Sequence, residues 1–224
     1  RAIFYRREKN FAPKKIGIAV PVQKMVESEM SGVMFTVDPV TGDKNKIVIE
    51  AIWGLGEFIV QGVVNPDHFE VDKKTLEIGN RIISVQDKQL IFVRGQNRTI
   101  DISKSWQGKQ KISDSQIKKL AELGKKLEKH YYFPQDIEWA IEKDRVYVVQ
   151  TRPVTALKKG DSEIKTNLIT DDLKLLITGA AASPGIASGP VKIIGSASQV
   201  ARVAKGDVLV TAMTNPDFVP AMRK

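Results

Sequence analysis

Asp136, Glu138, Gln150 and Arg152 carry the sharpest chemical signal in the 224 residues. Asp136-Ile-Glu-Trp-Ala-Ile141 and Val146-Tyr-Val-Val-Gln-Thr-Arg152 read as paired strands, and Pro153 ends the second. Alternation puts 136 and 138 on one face of the first strand, and 150 and 152 on one face of the second. A three-residue loop, Lys143 to Arg145, sets Glu138 opposite Gln150 and gathers two carboxylates, an amide and a guanidinium on one side. A two-residue loop slips the register and divides them, so the pairing needs an odd loop length or a bulge near Lys143 to Arg145. Gathered, the Glu138 carboxylate and the Gln150 carbonyl are hard oxygen donors of the kind Mg²⁺ takes beside phosphate oxygens and waters. Arg152 suits a phosphate through its planar fork of donors. By spacing alone, a solvent-facing hairpin of mixed charge accounts for the pattern more simply.

Other elements must hold that register. Ile137, Trp139 and Ile141 must turn to the opposite face, with Val149 beside them, and pack on a helix. The helix is legible. Ser113 caps it, Gln116 completes a capping box, and Ile117, Leu120, Ala121, Leu127 and Tyr131 fall on one face. Lysines 118, 119, 125 and 126 make a solvated face, and Gly124 weakens the helix slightly. Upstream, 16–26, 31–38 and 46–52 read as strands, with a turn at Pro39-Val-Thr-Gly-Asp43. A short helix is expected over 56–62. A hairpin joins 68–72 to 76–85 around Lys73-Lys-Thr75, and 89–94 adds a strand. Residues 156–178 are polar and read as a linker. Strands recur at 191–194 and 207–211.

Composition narrows the chemistry. Cysteine is absent, so disulfides and thiolate chemistry are excluded, and this fits a cytoplasmic protein. With only His68 and His130, a zinc site would need carboxylates. No apolar run of about 18 residues predicts a membrane helix. The first residue is Arg1, without an initiator Met or a signal peptide, so the chain reads as beginning mid-protein. The net charge of +9 raises a non-catalytic nucleic-acid-binding module as an alternative, with six basic residues against Glu8 in 1–15. No aromatic-plus-basic motif accompanies that charge.

Six blocks occur in order: Gln23-Lys-Met-Val26, Ser31-Gly-Val-Met-Phe-Thr36, Trp53-Gly-Leu-Gly-Glu-Phe-Ile-Val-Gln-Gly62, Val64-Asn-Pro-Asp67, Asp136-Ile-Glu-Trp139 and Val149-Gln-Thr-Arg-Pro153. Together they resemble the nucleotide domain of the phosphoenolpyruvate synthase (pyruvate, water dikinase) family. Ala182-Ser-Pro-Gly-Ile-Ala-Ser-Gly-Pro-Val191 and Gly206-Asp-Val-Leu-Val-Thr211 resemble the opening of that family's phosphohistidine domain. The resemblance implies an α+β chain. Residues 1–155 would be the C-terminal half of an ATP-grasp domain, with a mixed or antiparallel sheet and helices. Residues 156–178 would be a linker, and 179–224 a truncated start of the swivelling phosphohistidine domain.

It further implies ATP and Mg²⁺ as cofactors. Asp136, Glu138, Gln150 and Arg152 match the ATP-binding residues, with Glu138 and Gln150 on the metal. Gln23, Met25 and Val26 match the adenine pocket. The parent would turn pyruvate, ATP and water into phosphoenolpyruvate, AMP and phosphate. Its partners would be ATP, pyruvate and a missing N-terminal half of the ATP-grasp domain. The family's carrier histidine lies in a Gly-Gly-x-Thr-x-His-Ala stretch that is not encoded here. His68 and His130 match no part of it and read as structural or surface residues, no catalytic residue is assigned, and the fragment alone is expected to be inactive. Trp53-Gly-Leu-Gly56 admits a plain reading as a tight strand-to-helix turn. Pyruvate, phosphate dikinase and rifampicin-type phosphotransferases share the architecture and remain alternatives.

Overall fold

Period-two alternation in Asp67-His-Phe-Glu-Val-Asp72 demands a sheet with an apolar face that needs a cover, and the apolar run Ile47–Trp53, broken only at Glu50, reads as a more deeply buried strand beside it. The computed structural model, which describes residues 19–154, 187–211 and 218–222, shows how this demand is met. Expectations that fall elsewhere, including the linker 156–178, lie outside the described residues.

The class is α+β. A six-stranded antiparallel sheet runs in the order β4 (Ile78–Ile82), β3 (Asp67–Asp72), β2 (Lys46–Trp53), β1 (Met30–Phe35), β7 (Gln135–Glu142), β8 (Arg145–Pro153). β5 (Lys88–Val93) and β6 (Gln96–Asp101) form a separate antiparallel hairpin. The helices of this part are α1 (Glu57–Val60), α2 (Lys104–Gln107) and α3 (Asp114–Tyr131).

α3 is the cover. Its Ile117, Leu120 and Ala121 pack with Met34, Ile47, Ile49, Phe69, Val71, Ile137, Trp139 and Ile141 in one buried cluster. At about 25 cal/mol per Å² of apolar area, such a core outweighs any surface ion pair and fixes which face of each strand turns inward. Ser113 accepts from the Gln116 N–H while the Gln116 side chain accepts from the Ser113 N–H, so the capping box is formed. Gly124 has a packing role beyond its modest cost to the helix. A Cβ there would meet the Met34 thioether at 3.1 Å and Thr36 at 3.2 Å, so its absence lets the helix settle close to β1.

A buried ion pair ties the sheet to the segment before α3. Asp67 is fully buried and accepts from Lys111 Nζ at 2.8 Å, from the Lys111 N–H and from the Ser84 N–H. The last residue of the Val64-Asn-Pro-Asp67 block is therefore satisfied inside the protein.

Several expectations need correction. Residues 19–26 form no strand, because Pro21 breaks the ladder and their apolar side chains lie mostly outside: Val20 and Val22 are exposed. β6 and α2 were not anticipated, because 96–107 mixes polar and apolar residues without a period. Tyr131 is exposed, since the helix ends there and Tyr132 turns left-handed at its C-cap.

The described residues of 187–222 make a smaller unit of their own. β9 (Val191–Ile193) and β10 (Val208–Val210) pair in parallel, with a 3₁₀ turn at Ala197–Arg202 and α4 (Val219–Met222). Ile194, Val203, Phe218 and Ala221 are its buried residues.

Candidate functional site

The hairpin β7–β8 turns through only two residues, Lys143 and Asp144, both left-handed with φ of 49° and 61°. Such a mirror-image turn matches the twist of the flanking strands. It also sets Glu142 opposite Arg145, Ala140 opposite Tyr147 and Trp139 opposite Val148. Continued unbroken, that register would place Glu138 against Val149. The ladder instead shifts between Glu138 and Trp139, and Val149 becomes the extra residue of a β-bulge. Beyond it Glu138 lies opposite Gln150, and Asp136 opposite Arg152.

The expected pairing is thus present, reached through a bulge and not through a three-residue loop. A turn of two residues and a bulge of one together supply the offset. Val149 is not beside Trp139 in the core: it is 39% exposed, because the bulge pushes it out of the ladder on an edge strand. Trp139 is 1% exposed and anchored under α3, so the strain of the offset falls on β8.

Burial sorts the faces. Ile137, Trp139 and Ile141 point to the core, while Asp136 and Glu138 are half-buried on the other side. Arg152 Nε and Nη2 both lie 2.8 Å from Asp136 Oδ2. Among the described residues, neither the Glu138 carboxylate nor the Gln150 amide has a hydrogen-bond or ion-pair partner.

The same face continues across the sheet. Val33 pairs with Glu138 on one side and with Glu50 on the other, and Glu50 pairs with His68. His68 Nδ1 is 3.8 Å from Glu50, and its Nε2 is 3.8 Å from Glu70. The Glu50 carboxylate raises the imidazole above its ordinary value. Lys46 Nζ donates to Glu70 at 2.7 Å, which holds that carboxyl below its usual range. Sequence reasoning singled out none of Lys46, Glu50 and Glu70, and left His68 as a structural or surface residue. The signal was available in the alternating Asp67–Asp72 segment and in Lys46 and Glu50, the two polar residues of the otherwise apolar Lys46–Trp53.

Gln23 reaches the hairpin, donating from Nε2 to the Val149 carbonyl at 3.4 Å. The bulge residue therefore meets the segment that carries the other expected ligand residues. Met25 is 52% exposed and Val26 half-buried in the unpaired stretch ahead of β1. Trp53-Gly-Leu-Gly56 is a strand-to-helix turn. Gly54 has φ +83°, its carbonyl accepts from the Ser28 and Ser31 hydroxyls, and a Cβ would stand 2.3 Å from the Leu90 carbonyl. Among the described residues no three His, Asp or Glu side chains gather as a metal site, and no helix is long and apolar enough to cross a membrane. A cation at this hairpin would have two protein oxygens, from Glu138 and Gln150. That sparse set fits Mg²⁺, which keeps waters and phosphate oxygens in its shell.

Comparison with known proteins adds an independent line. Residues 1–172 match the family model described as pyruvate phosphate dikinase, AMP/ATP-binding domain. A probable phosphoenolpyruvate synthase of Methanocaldococcus jannaschii is 48% identical over the whole chain, which spans 19% of that relative. A probable phosphoenolpyruvate synthase of Pyrococcus abyssi is 44% identical, and a phosphoenolpyruvate synthase of Pyrococcus furiosus 43%; the chain covers all of itself and 28% of each. It thus spans less than a third of the length of these relatives. A match over 172 of 224 residues, set on a sheet whose polar face carries the Glu138–Gln150 pair, places the chain in the pyruvate phosphate dikinase AMP/ATP-binding domain family.

Proposed function

We propose that this chain supplies the ATP- and Mg²⁺-binding face of a dikinase that makes phosphoenolpyruvate from pyruvate, ATP and water. Residues 1–155 act as the C-terminal half of an ATP-grasp domain, 156–178 as a linker, and 179–224 as the start of a phosphohistidine domain. The observation that carries the reading is the cross-strand pair Glu138–Gln150, with neither oxygen-bearing side chain engaged by another of the described residues.

In this reading Glu138 and the Gln150 carbonyl hold Mg²⁺, which supplies charge neutralisation at the ATP phosphates. Asp136 keeps the Arg152 guanidinium extended along the same face, where its remaining donors meet phosphate oxygens. Gln23, Met25 and Val26 line the adenine side, and Gln23 is tied to the hairpin through Val149. Phosphoryl transfer to a histidine, and from it to pyruvate, belongs to the rest of a longer protein. The chain's similarity to phosphoenolpyruvate synthases favours the synthase over the phosphate dikinase.

Manganese tests the site, because it prefers the same hard ligands and broadens nearby NMR signals. With Mn²⁺ and ATP, the amides of 136–138 and 150–152 should broaden first. Glu138→Gln should abolish the effect while leaving the spectrum of the core unchanged. Broadening centred elsewhere, or equal broadening in Glu138→Gln, refutes the assignment.

A further inference from the structure

Gln135 and Thr151 make none of the proposed metal or phosphate contacts, yet each adjoins residues that do. Gln135 precedes Asp136, and Thr151 stands between Gln150 and Arg152. Alternation turns both away from the open face. Ile137 points to the core, so Gln135, two residues earlier, shares its side, and Thr151 pairs with Ile137 across the ladder. Gln150 and Arg152 therefore point outward only while Thr151 points inward.

Little else holds β8 in that register. Trp139 and α3 fix the inner face of β7. β8 is an edge strand with β7 alone beside it, and the bulge separates 150–153 from the turn that sets the first part of the ladder. Val148, Val149, Gln150, Arg152 and Pro153 are all exposed, so little apolar burial anchors them. The ion pair of Arg152 with Asp136 has its guanidinium in solvent and adds little. Without the bulge, the turn's own register would set Gln150 opposite Ile137 and Thr151 opposite Asp136. Gln150 would then face the helix-covered side and Thr151 the open one.

A buried amide distinguishes the two registers. Gln135 is 1% exposed, and its side chain is engaged at both ends. Its Oε1 accepts from the Thr151 hydroxyl at 2.9 Å, and its Nε2 donates to the Phe133 carbonyl at 2.8 Å. Its backbone is tied to Thr36, just past β1: the Gln135 N–H donates to Thr36 Oγ1 at 2.8 Å, and the Gln135 carbonyl accepts from the Thr36 N–H at 2.9 Å. Thr36 is itself fully buried. The amide oxygen is thus a fixed acceptor that cannot follow β8. In the register without the bulge the Thr151 hydroxyl points away and leaves that oxygen buried without its donor, which is costly.

We propose that Thr151 and Gln135 are positioning residues, whose hydrogen bond locks β8 in the bulged register and so presents Gln150 and Arg152 to the nucleotide. The positioning role rests on the metal and phosphate contacts proposed above; the lock does not. Thr151→Val keeps the shape of the half-buried side chain and removes its donor, whereas Thr151→Ser keeps the donor. In the metal-free protein, hydrogen exchange of the 150–152 amides should quicken about ten-fold in Thr151→Val. The amides of β1, β2 and α3 should be unchanged, and Thr151→Ser should exchange as the parent does. Cross-strand NOE contacts should set Glu138 beside Gln150 in the parent and in Thr151→Ser, and weaken in Thr151→Val. Affinity for Mn²⁺ with ATP, read from the broadening at 136–138, should fall about five- to ten-fold in Thr151→Val and recover in Thr151→Ser. Parent-like exchange and NOE contacts in Thr151→Val, equal quickening across the whole sheet, or a Thr151→Ser variant that behaves as Thr151→Val overturns the lock. Loosened 150–152 amides with undiminished Mn²⁺ and ATP affinity overturn the positioning role. A parent that binds no Mn²⁺ with ATP refutes the metal assignment, and with it the positioning role, while exchange and NOE contacts still decide the lock.

Discussion

Asp136 holds Arg152 directly across the β7–β8 ladder, with Nε and Nη2 both 2.8 Å from the single oxygen Oδ2. The carboxylate side chain is 12% exposed and the guanidinium side chain 64%. One partner is fixed by the sheet and the other is presented to solvent. The arrangement reads as a positioning contact more than a stabilising one. Asp136→Asn should therefore cost the fold only about 0–1 kcal/mol, the usual worth of an exposed pair. Mg·ATP affinity should fall more than stability does. Urea unfolding and a calorimetric titration on one sample compare the two; a large stability loss with unchanged affinity contradicts the role.

The turn offers a stabilising change. Lys143 and Asp144 occupy left-handed backbone that Asn and Gly tolerate better. Lys143→Asn with Asp144→Gly should raise stability by about 1 kcal/mol, against loss of the exposed Gln116–Asp144 hydrogen bond. Thermal unfolding reads the gain. A lower Tm would mean that the hairpin needs its present side chains more than its preferred dihedrals.

Asp67 and Lys111 should behave as a unit. Lys111→Met leaves a fully buried carboxylate with only two backbone donors. A loss of about 3–5 kcal/mol is expected. Adding Asp67→Asn should recover part of it, because no buried charge is then left unpaired, and only part, because the single amide oxygen can accept from one of the two N–H groups that now meet separate carboxylate oxygens. Chemical denaturation of the two single variants and the double variant gives the coupling. Strictly additive losses would show that the pair does not act together.

His68 gives the fold a pH dependence of known sign. Glu50 raises the imidazole above its ordinary value of 6.5, against the opposing effect of burial, and Glu70 adds to the rise. The folded chain then binds that proton more tightly than the unfolded chain. The associated stability is complete below about 6.5 and is lost as pH rises through the elevated folded value. His68→Gln should flatten this part of the stability profile, and an NMR titration of the imidazole should show the upward shift directly. A titration below 6.5 would reverse the sign and contradict the assignment.

By itself the sequence determined every element with a clean period and a local stop signal. Ser113 and Gln116 are three residues apart, so the start of α3 follows from local hydrogen bonding. The alternation at 135–142 names its own inner face, because a buried face repeats every second residue. The candidate residues Asp136, Glu138, Gln150 and Arg152 were visible for the same reason.

Tertiary structure alone decided how those residues meet. Nothing local distinguishes a three-residue loop from a two-residue turn followed by a bulge, and the two differ by one residue of register. Trp139 settles the question, since burying its indole beneath α3 outweighs the ladder bond disturbed at Val149. The bulge then forms where the edge strand is free to bend. Gln23 meeting Val149, Glu50 meeting His68 and Trp53 meeting Trp106 are contacts of 126, 18 and 53 residues' separation. Their geometry comes from sheet order and helix placement, which no short window of sequence encodes.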